Sequence, residues 1–373
     1  MKRQALLLSA TLLVAIALSS CGSQSTQGSQ TNTTPGTSTY EKQIQDLAGQ
    51  TVDVSKYQHP GPYTIAILTQ GAFNGYGKEF EVTADWAAKN NTDIKSHTIL
   101  SSGGNVATQI SQLESVLASK PDAIVLQPVG DALAGDAKRA TQSGIPVVLC
   151  ANSLPDPSAY ATVISLDFWN TMAQAAEAVA KSINYKGTVA VFSGIATFGG
   201  SQVAAQAAAS VLSKYSGIKA LPVDYMNFSI PKAKTDMEAI LASNPKIDGF
   251  VVQGGEGAIG AIQAFAERNI TMPAFGVVSI NNGFLRLADQ YKLKFTAVPS
   301  PAGVSAACVD TAVKILKGVG NIPRFIDPDK IVPDAQPYDQ TQLGAHYLSA
   351  FNDDFVDPPV APTSVYLAAG FGR

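Results

Sequence analysis

Short apolar runs recur along this chain, each closed by a polar or glycine-bearing turn and followed by an amphipathic stretch. The first and clearest lies in YTIAILTQGAFNGYGKEF, residues 63–80. Its run Ile65-Ala66-Ile67-Leu68 is apolar at successive positions, as a strand covered on both faces of a parallel sheet must be. It stops at Gln70-Gly71, and a loop with Phe73, Asn74 and Tyr76 leads into a helix over residues 78–90, with Phe80, Ala84 and Ala87 inward. Further strands are predicted over residues 94–100, 123–126 and 145–150, the last running out into Ala151-Asn152. Between them, Val106, Ile110, Leu113 and Leu117 form one helical stripe, and residues 132–142 form a helix stopped by Gly144. Four strand-helix units of this length predict a doubly wound parallel sheet.

After a short extended crossing, Ile164-Ser165-Leu166-Asp167, the pattern starts over. Helices are predicted through Met172, Ala175, Ala176, Val179 and Ile183, over residues 202–215, through Met237, Ile240 and Leu241, through Ile259, Ile262 and Ala266, and over residues 284–290. Strands alternate with them over residues 188–192, 219–224, 249–252 and 273–278, with an extended segment over 295–298 and a helix over 304–317. The last fifty or so residues are rich in Pro and Asp and read as mostly extended. Two successive α/β lobes without a long linker imply a hinge and a cleft. In open α/β sheets, ligands bind beyond the carboxyl ends of the strands, so the loop holding Phe73 and Tyr76 marks a ligand site.

The amino-terminal end changes the picture from fold to location. Lys2 and Arg3 form a positive region, and residues 5–18 form an apolar core too short for a comfortable membrane span. It ends at Leu18-Ser19-Ser20-Cys21, a bacterial lipobox pattern in which cleavage precedes a cysteine that then carries lipid. Residues 22–40 are almost all Ser, Thr, Gln, Asn and Gly, which bury too little apolar surface to order themselves. Together they predict an exported, lipid-anchored protein on a flexible tether, which excludes a cytoplasmic role.

Composition then narrows the partners. Without Lys2 and Arg3 the chain carries 24 basic against 29 acidic residues, so nucleic acid is not expected as a partner. With three cysteines there is no disulfide framework, and Cys150 and Cys308 read as two buried thiols in preference to a disulfide linking them. His59, His97 and His346 are scattered without triad partners, and GxSxG, HExxH, GxxxxGK[ST] and GxGxxG are all absent. No enzyme activity, metal or cofactor is therefore expected. The glycines at 199, 200, 254 and 255 read as places of close backbone approach to a ligand.

The chain resembles the bacterial periplasmic binding proteins of the ribose/galactose type, the ligand receptors of sugar ABC importers. The likeness runs over residues 63–342 and rests on IAILTQGAFNGYG, on KPDAIVLQPVGDALAGDAKRATQSGIPVV and on SLDFWNTM. GIATFGGSQVAAQA, the segment ending at Asn227-Phe228, and IDGFVVQGGEGAIGAIQAF carry it further. The resemblance implies two Rossmann-like lobes joined by a three-stranded hinge and closing on one ligand. It divides the chain into a signal peptide over 1–20 and a lipidated, flexible segment over 21–61. A first lobe would take 62–165 plus about 300–328, a second lobe 166–299 plus about 329–345, and an extension 346–373.

Carried over residue by residue, the binding positions fall at Phe73, Tyr76, Asn152, Gln202, Phe228, Gln253, Gly254 and Ser279. Aromatic faces suit the C–H edges of a sugar ring while its hydroxyls bond elsewhere. The family's charged Asp-Arg pair after the fourth strand is Ala151-Asn152 here, its arginine at the second lobe's loop-helix is Gln202, and its Asn-Asp pair is Gly254-Gly255. Amides and apolar groups in those places point to a small neutral ligand less polar than, or shaped differently from, the usual sugars. Glu256 is balanced between ligand contact and a helix N-terminus role, as Trp169 is between stacking on ligand and packing at the hinge; Asp167 reads as a helix cap. Permease subunits of an ABC importer would be the protein partner. A receptor that signals to a sensor kinase or chemoreceptor is the rival reading.

Overall fold

The computed structural model describes residues 39–373 apart from Leu166, Pro333 and Asp334. The leader, Cys21 and most of the tether therefore lie outside the described residues. Helix α1 (Thr39–Leu47) precedes strand β1 (Tyr63–Thr69). Along β1, Ile65 and Ile67 enter a core on one face, and Ala66 and Leu68 a second core on the other. A strand buried on both faces has no polar side, which is why its sequence does not alternate. Helix α2 (Gly75–Asn90) begins three residues before the predicted start, because the Asn74 side chain accepts from Gly77 N at 2.9 Å and caps it.

Next come β2 (Ile94–Ser101), α3 (Val106–Ser119), β3 (Ala123–Leu126), α4 (Ala134–Gln142) and β4 (Val147–Ala151). Of the stripe read on α3, Leu113 is buried and Ile110 and Leu117 pack half-buried on the core, while Gln109 and Val116 complete the fully buried face. The segment read as a crossing at Ile164-Ser165 belongs to a fifth strand, β5 (Thr162–Ser165), parallel to β4. The second series is α5 (Phe168–Ser182), β6 (Gly187–Ser193), α6 (Gly199–Leu212), β7 (Ile218–Ala220) and β8 (Asp224–Tyr225). Here one strand expected over 219–224 is broken into two. It continues with α7 (Ile230–Ser243), β9 (Gly249–Gln253), α8 (Gly255–Glu267), β10 (Ala274–Val278), α9 (Asn282–Tyr291) and β11 (Phe295–Val298). Helix α10 (Val304–Lys317) and β12 (Phe325–Ile326) return to the first sheet, and β13 (Tyr338–Asp339) to the second.

The two sheets share one winding. Their orders are β2-β1-β3-β4-β5-β12 and β7-β6-β9-β10-β11-β13, with β8 also on β6. Apart from β13, which is antiparallel to β11, all these pairs are parallel. Each sheet therefore reverses direction once, between β1 and β3 and between β6 and β9, and such switch points open crevices at the carboxyl ends of strands. The chain passes between sheets after β5, β11 and β12, so two α/β lobes are joined by a hinge.

One expectation about the cysteines is corrected. Cys150 on β4 and Cys308 on α10 form a disulfide across 158 positions of sequence. Linear order hides this, because α10 reaches β4 only after the chain has built most of the second lobe. Closing so long a loop restrains the unfolded chain. Replacing both cysteines by alanine is expected to cost about 2–4 kcal/mol in denaturant-derived stability; a midpoint equal to wild type would contradict this.

The carboxyl-terminal region is corrected as well. It is packed, with α11 (Leu343–His346) and α12 (Thr363–Tyr366) and a cluster of Phe351, Phe355, Tyr366 and Phe371 against Val82 and Trp86 of α2. A Pro- and Asp-rich stretch shows no periodicity, but its isolated rings find their burial on another element.

Candidate functional site

A cavity of about 70 Å³ opens where the carboxyl ends of both sheets face each other. After β1 it is lined by Gln70, Gly71, Phe73 and Asn74, and the first turn of α2 adds Tyr76 and Gly77. The ends of β3 and β4 supply Gln127, Ala151 and Asn152. From the second lobe come Phe168 at the start of α5, Phe198 before α6, Phe228 after β8, then Gln253, Gly254, Glu256, Val278 and Ser279, with Ser300 from the second crossing. Both switch points thus contribute to one hollow.

Seven of the eight residues carried over from the resemblance sit on this lining: Phe73, Tyr76, Asn152, Phe228, Gln253, Gly254 and Ser279. Gln202 does not. It lines a neighbouring outer hollow of about 210 Å³ with Asp131, Ser153 and Gln206, and its Nε2 donates to Ala196 O at 2.8 Å. The two hollows share Asn152, Phe168 and Phe198. Trp169 packs beside Phe168 and Val203 and is not on either lining, and Asp167 caps α5 by accepting from Asn170 N. The reading from sequence missed Phe168 and Ser300 and took Gln127 and Phe198 only as loop positions. Their signal was available: each stands just past a strand end.

The amides are held at one end and presented at the other. Gln253 Oε1 accepts from Ser193 Oγ at 2.8 Å and from Gly194 N at 3.0 Å, which leaves its Nε2 for the cavity. Asn152 Nδ2 donates to Pro128 O at 3.0 Å, leaving its Oδ1. Gln127 Oε1 accepts from Gln70 N at 3.1 Å. Because each side chain is locked by its own partner, little rotamer entropy is lost when a ligand hydroxyl arrives. Tyr76 shares a hydrogen bond with Ser300, and burial pushes its phenol up.

The backbone is unusual at the same strand ends. Ala151, Phe228 and Ser279 all have left-handed φ, at 62°, 50° and 59°. Such conformations disfavour side chains with a Cβ and cost of order 1–3 kcal/mol each unless the surroundings enforce them. Gly194 shows one enforcement: a Cβ there would stand 2.2 Å from the Phe228 ring, so only glycine leaves room for it.

Glu256 is the charged side chain of the lining. Its burial and the nearby Asp354 push its carboxyl up to about 7 from an ordinary 4.5. In that window the folded chain holds a proton that the unfolded chain releases. The group's contribution to stability is therefore full below pH 4.5 and lost as pH rises through about 7. Glu256→Gln is expected to flatten the decline in melting temperature between about pH 5 and about pH 8; equal slopes in both proteins would refute the assignment.

Comparison with known proteins gives the same picture. The periplasmic binding protein domain family matches residues 65–320. A xylitol-binding protein of Mycolicibacterium smegmatis is 26% identical over 316 residues, which cover 82% of this chain and 85% of that protein. An ABC transporter solute binding protein from Thermobispora bispora superposes with a TM-score of 0.69 at 21% identity, over 82% of this chain and 94% of the other. One from Bacillus halodurans with bound myo-inositol gives 0.67 at 18% identity, over 77% and 98%. At these identities the two structures establish the fold.

Proposed function

The chain belongs to the periplasmic binding protein domain family, and from that premise we propose that it captures a small sugar- or polyol-like ligand between its lobes and works with an ABC importer. The observation that supports this most is the cavity lined by the strand ends of both lobes. A ligand touching both walls favours the closed form by its differential contacts, and a permease can read that form. The relatives named for a polyol, xylitol, and for D-apiose import point to the same class of ligand. The family is one of solute binders and not of enzymes, and it places the protein outside the cytoplasm.

In this reading Phe73, Tyr76 and Phe228 stack on the C–H faces of the ligand, and Asn152, Gln253, Gly254 and Ser279 take its hydroxyls. Gln202 serves only a ligand long enough to enter the outer hollow. The lobes would comprise 62–165 with about 300–328 and 166–299 with about 329–345, with 346–373 as an extension. The ribose/galactose subtype has no particular support among the relatives, which range over polyols and several sugars. A lipid on Cys21 would anchor the protein at the membrane surface; Cys21→Ser should then move it from the membrane fraction to the soluble one, and unchanged partitioning would end that part of the proposal.

The test is a thermal-shift screen of residues 38–373 with xylitol, myo-inositol, pentoses and hexoses, and with nucleosides and aromatic acids as a contrast. At a hundred times its dissociation constant a ligand adds ~2.7 kcal/mol, read as a raised melting temperature. A hit among sugars or polyols supports the proposal. Hits confined to the contrast set would overturn the ligand class.

A further inference from the structure

The carboxyl-terminal residues 347–373 grip both lobes at once. On the second lobe, Asn282 at the start of α9 donates from Nδ2 to Leu348 O at 3.0 Å and to Phe351 O at 2.8 Å, and its Oδ1 accepts from Leu348 N at 3.1 Å. Arg286, one turn on, holds Asp353 with two hydrogen bonds of 3.0 and 2.6 Å. On the first lobe, Val356 N donates to Glu79 Oε2 at 3.0 Å. Lys78 Nζ donates to Gly370 O at 3.2 Å and lies 4.4 Å over the Phe371 ring. Val356 itself is held from both sides, since its backbone also bridges to Asn281 before α9.

These grips fall on the helices that frame the cavity. Helix α2 carries Tyr76 and Gly77 in its first turn, and α9 starts three residues after Ser279. The fit at α2 is tight: a Cβ on Gly75 would stand 1.8 Å from Asp354 O, so only glycine lets the segment cross there. Glu79 is fully buried, and its second oxygen has no hydrogen-bond partner. Burial and Asp357 push its carboxyl well above the ordinary range. A segment from the far end of the chain that is held by a buried carboxyl of one lobe and a buried amide of the other restrains the relative motion of the lobes.

We infer that Glu79 and Asn282 are positioning residues that clamp residues 347–357 to both lobes, so that this segment acts as a strap holding the cleft near its closed, binding-competent angle. The inference rests on the reading of the cleft as the ligand site. Neither residue lines the cavity; each acts through the strap. Ligand affinity scales with the fraction of molecules already in the competent form. Loosening the strap therefore weakens binding without touching a lining side chain.

The test places spin labels at Lys95→Cys and Lys214→Cys, one on each lobe, and reads their separation with and without xylitol or myo-inositol. Wild type is expected to show one narrow apo distance close to the ligand-bound one. Glu79→Leu and Asn282→Ala should broaden and lengthen the apo distance and, if closure falls to about a tenth, raise the dissociation constant about tenfold. Glu79→Gln, which resembles the protonated acid and can still accept from Val356 N, should restore both. The milder Lys78→Ala/Thr83→Val removes the Lys78 bond to Gly370 O and the 3.4 Å contact of Thr83 Oγ1 with the Tyr366 hydroxyl; it should shift the distance in the same direction and guards against misfolding of the other two. Folded variants with unchanged distances would overturn the strap, since lost stability alone does not move a distance between intact lobes. If neither polyol nor any sugar binds, the functional proposal fails, while the apo distances still decide the strap.

Discussion

Phe228→Ala is expected to abolish most of the ligand-induced rise in melting temperature while leaving the fold in place. The ring is packed only in part against the second lobe's core, and the remainder of it lines the cavity. Full burial of such a side chain is worth about 1.5–3 kcal/mol, or roughly ten- to a hundredfold in affinity when the ligand supplies the cover. A ligand present at a hundred times the wild-type dissociation constant would then stand at only about one to ten times the variant's own constant. The stabilisation would shrink from ~2.7 to ~0.4–1.4 kcal/mol. Alanine keeps the left-handed backbone that residue 228 requires, with φ at 50°, so the strain is not relieved and the comparison isolates the ring. An undiminished shift would show that the ligand does not touch this wall.

Gln109→Leu is expected to destabilise the first lobe by about 2–5 kcal/mol, from the cost of one buried and one half-buried polar group left unpaired. Gln109 is fully buried on α3, and its Nε2 donates to Thr69 O at 3.1 Å and to Gln127 O at 2.9 Å while its Oε1 accepts from Val129 N at 2.9 Å. Thr69 O keeps Ser102 as a donor, but Gln127 O would lose this partner where it is buried, and Val129 N where it is half-buried. Leucine has a similar volume, so the loss is polar rather than a cavity. Because the three contacts tie the ends of β1 and β3 together, the same substitution should also displace Gln127 and weaken ligand binding. Denaturant titration and the thermal-shift assay measure the two effects separately. A variant as stable as wild type would mean that the helix relaxes and water satisfies the exposed groups.

Gln109 also shows where reading a sequence falls short. Its helix was legible from apolar spacing, and of the stripe Val106, Ile110, Leu113 and Leu117 the structure buries Leu113 fully, but Gln109 was left off the inner face because a glutamine counts as polar in any periodic pattern. Only the partners at the ends of two strands explain why an amide belongs inside. Ile164 and Ser165 read as extended but not as part of the sheet for a related reason: so short a strand is defined by pairing with β4 and β12, not by its own four residues. In the site, Phe73, Tyr76 and Asn152 were legible because they follow strands, but the separation of Gln202 into an outer hollow was not. That depends on how far α6 stands from the cavity.

The order of residues was enough to give the alternation of strand and helix, the restart of that pattern, the cleft it implies and the strand-end loops that line it. Those follow from local physics, since burial on both faces, helical periodicity and turn residues each act over a few neighbouring positions. The tertiary structure alone decided the Cys150–Cys308 bond, the seat of Gln109, and the strap that joins Glu79 to Val356 and Asn282 to Leu348 and Phe351. Each of these joins groups far apart in sequence, and no local pattern records which distant segment will supply the partner. The pairing is settled only when whole elements pack, because a buried polar group must find its hydrogen bond wherever the fold happens to bring one.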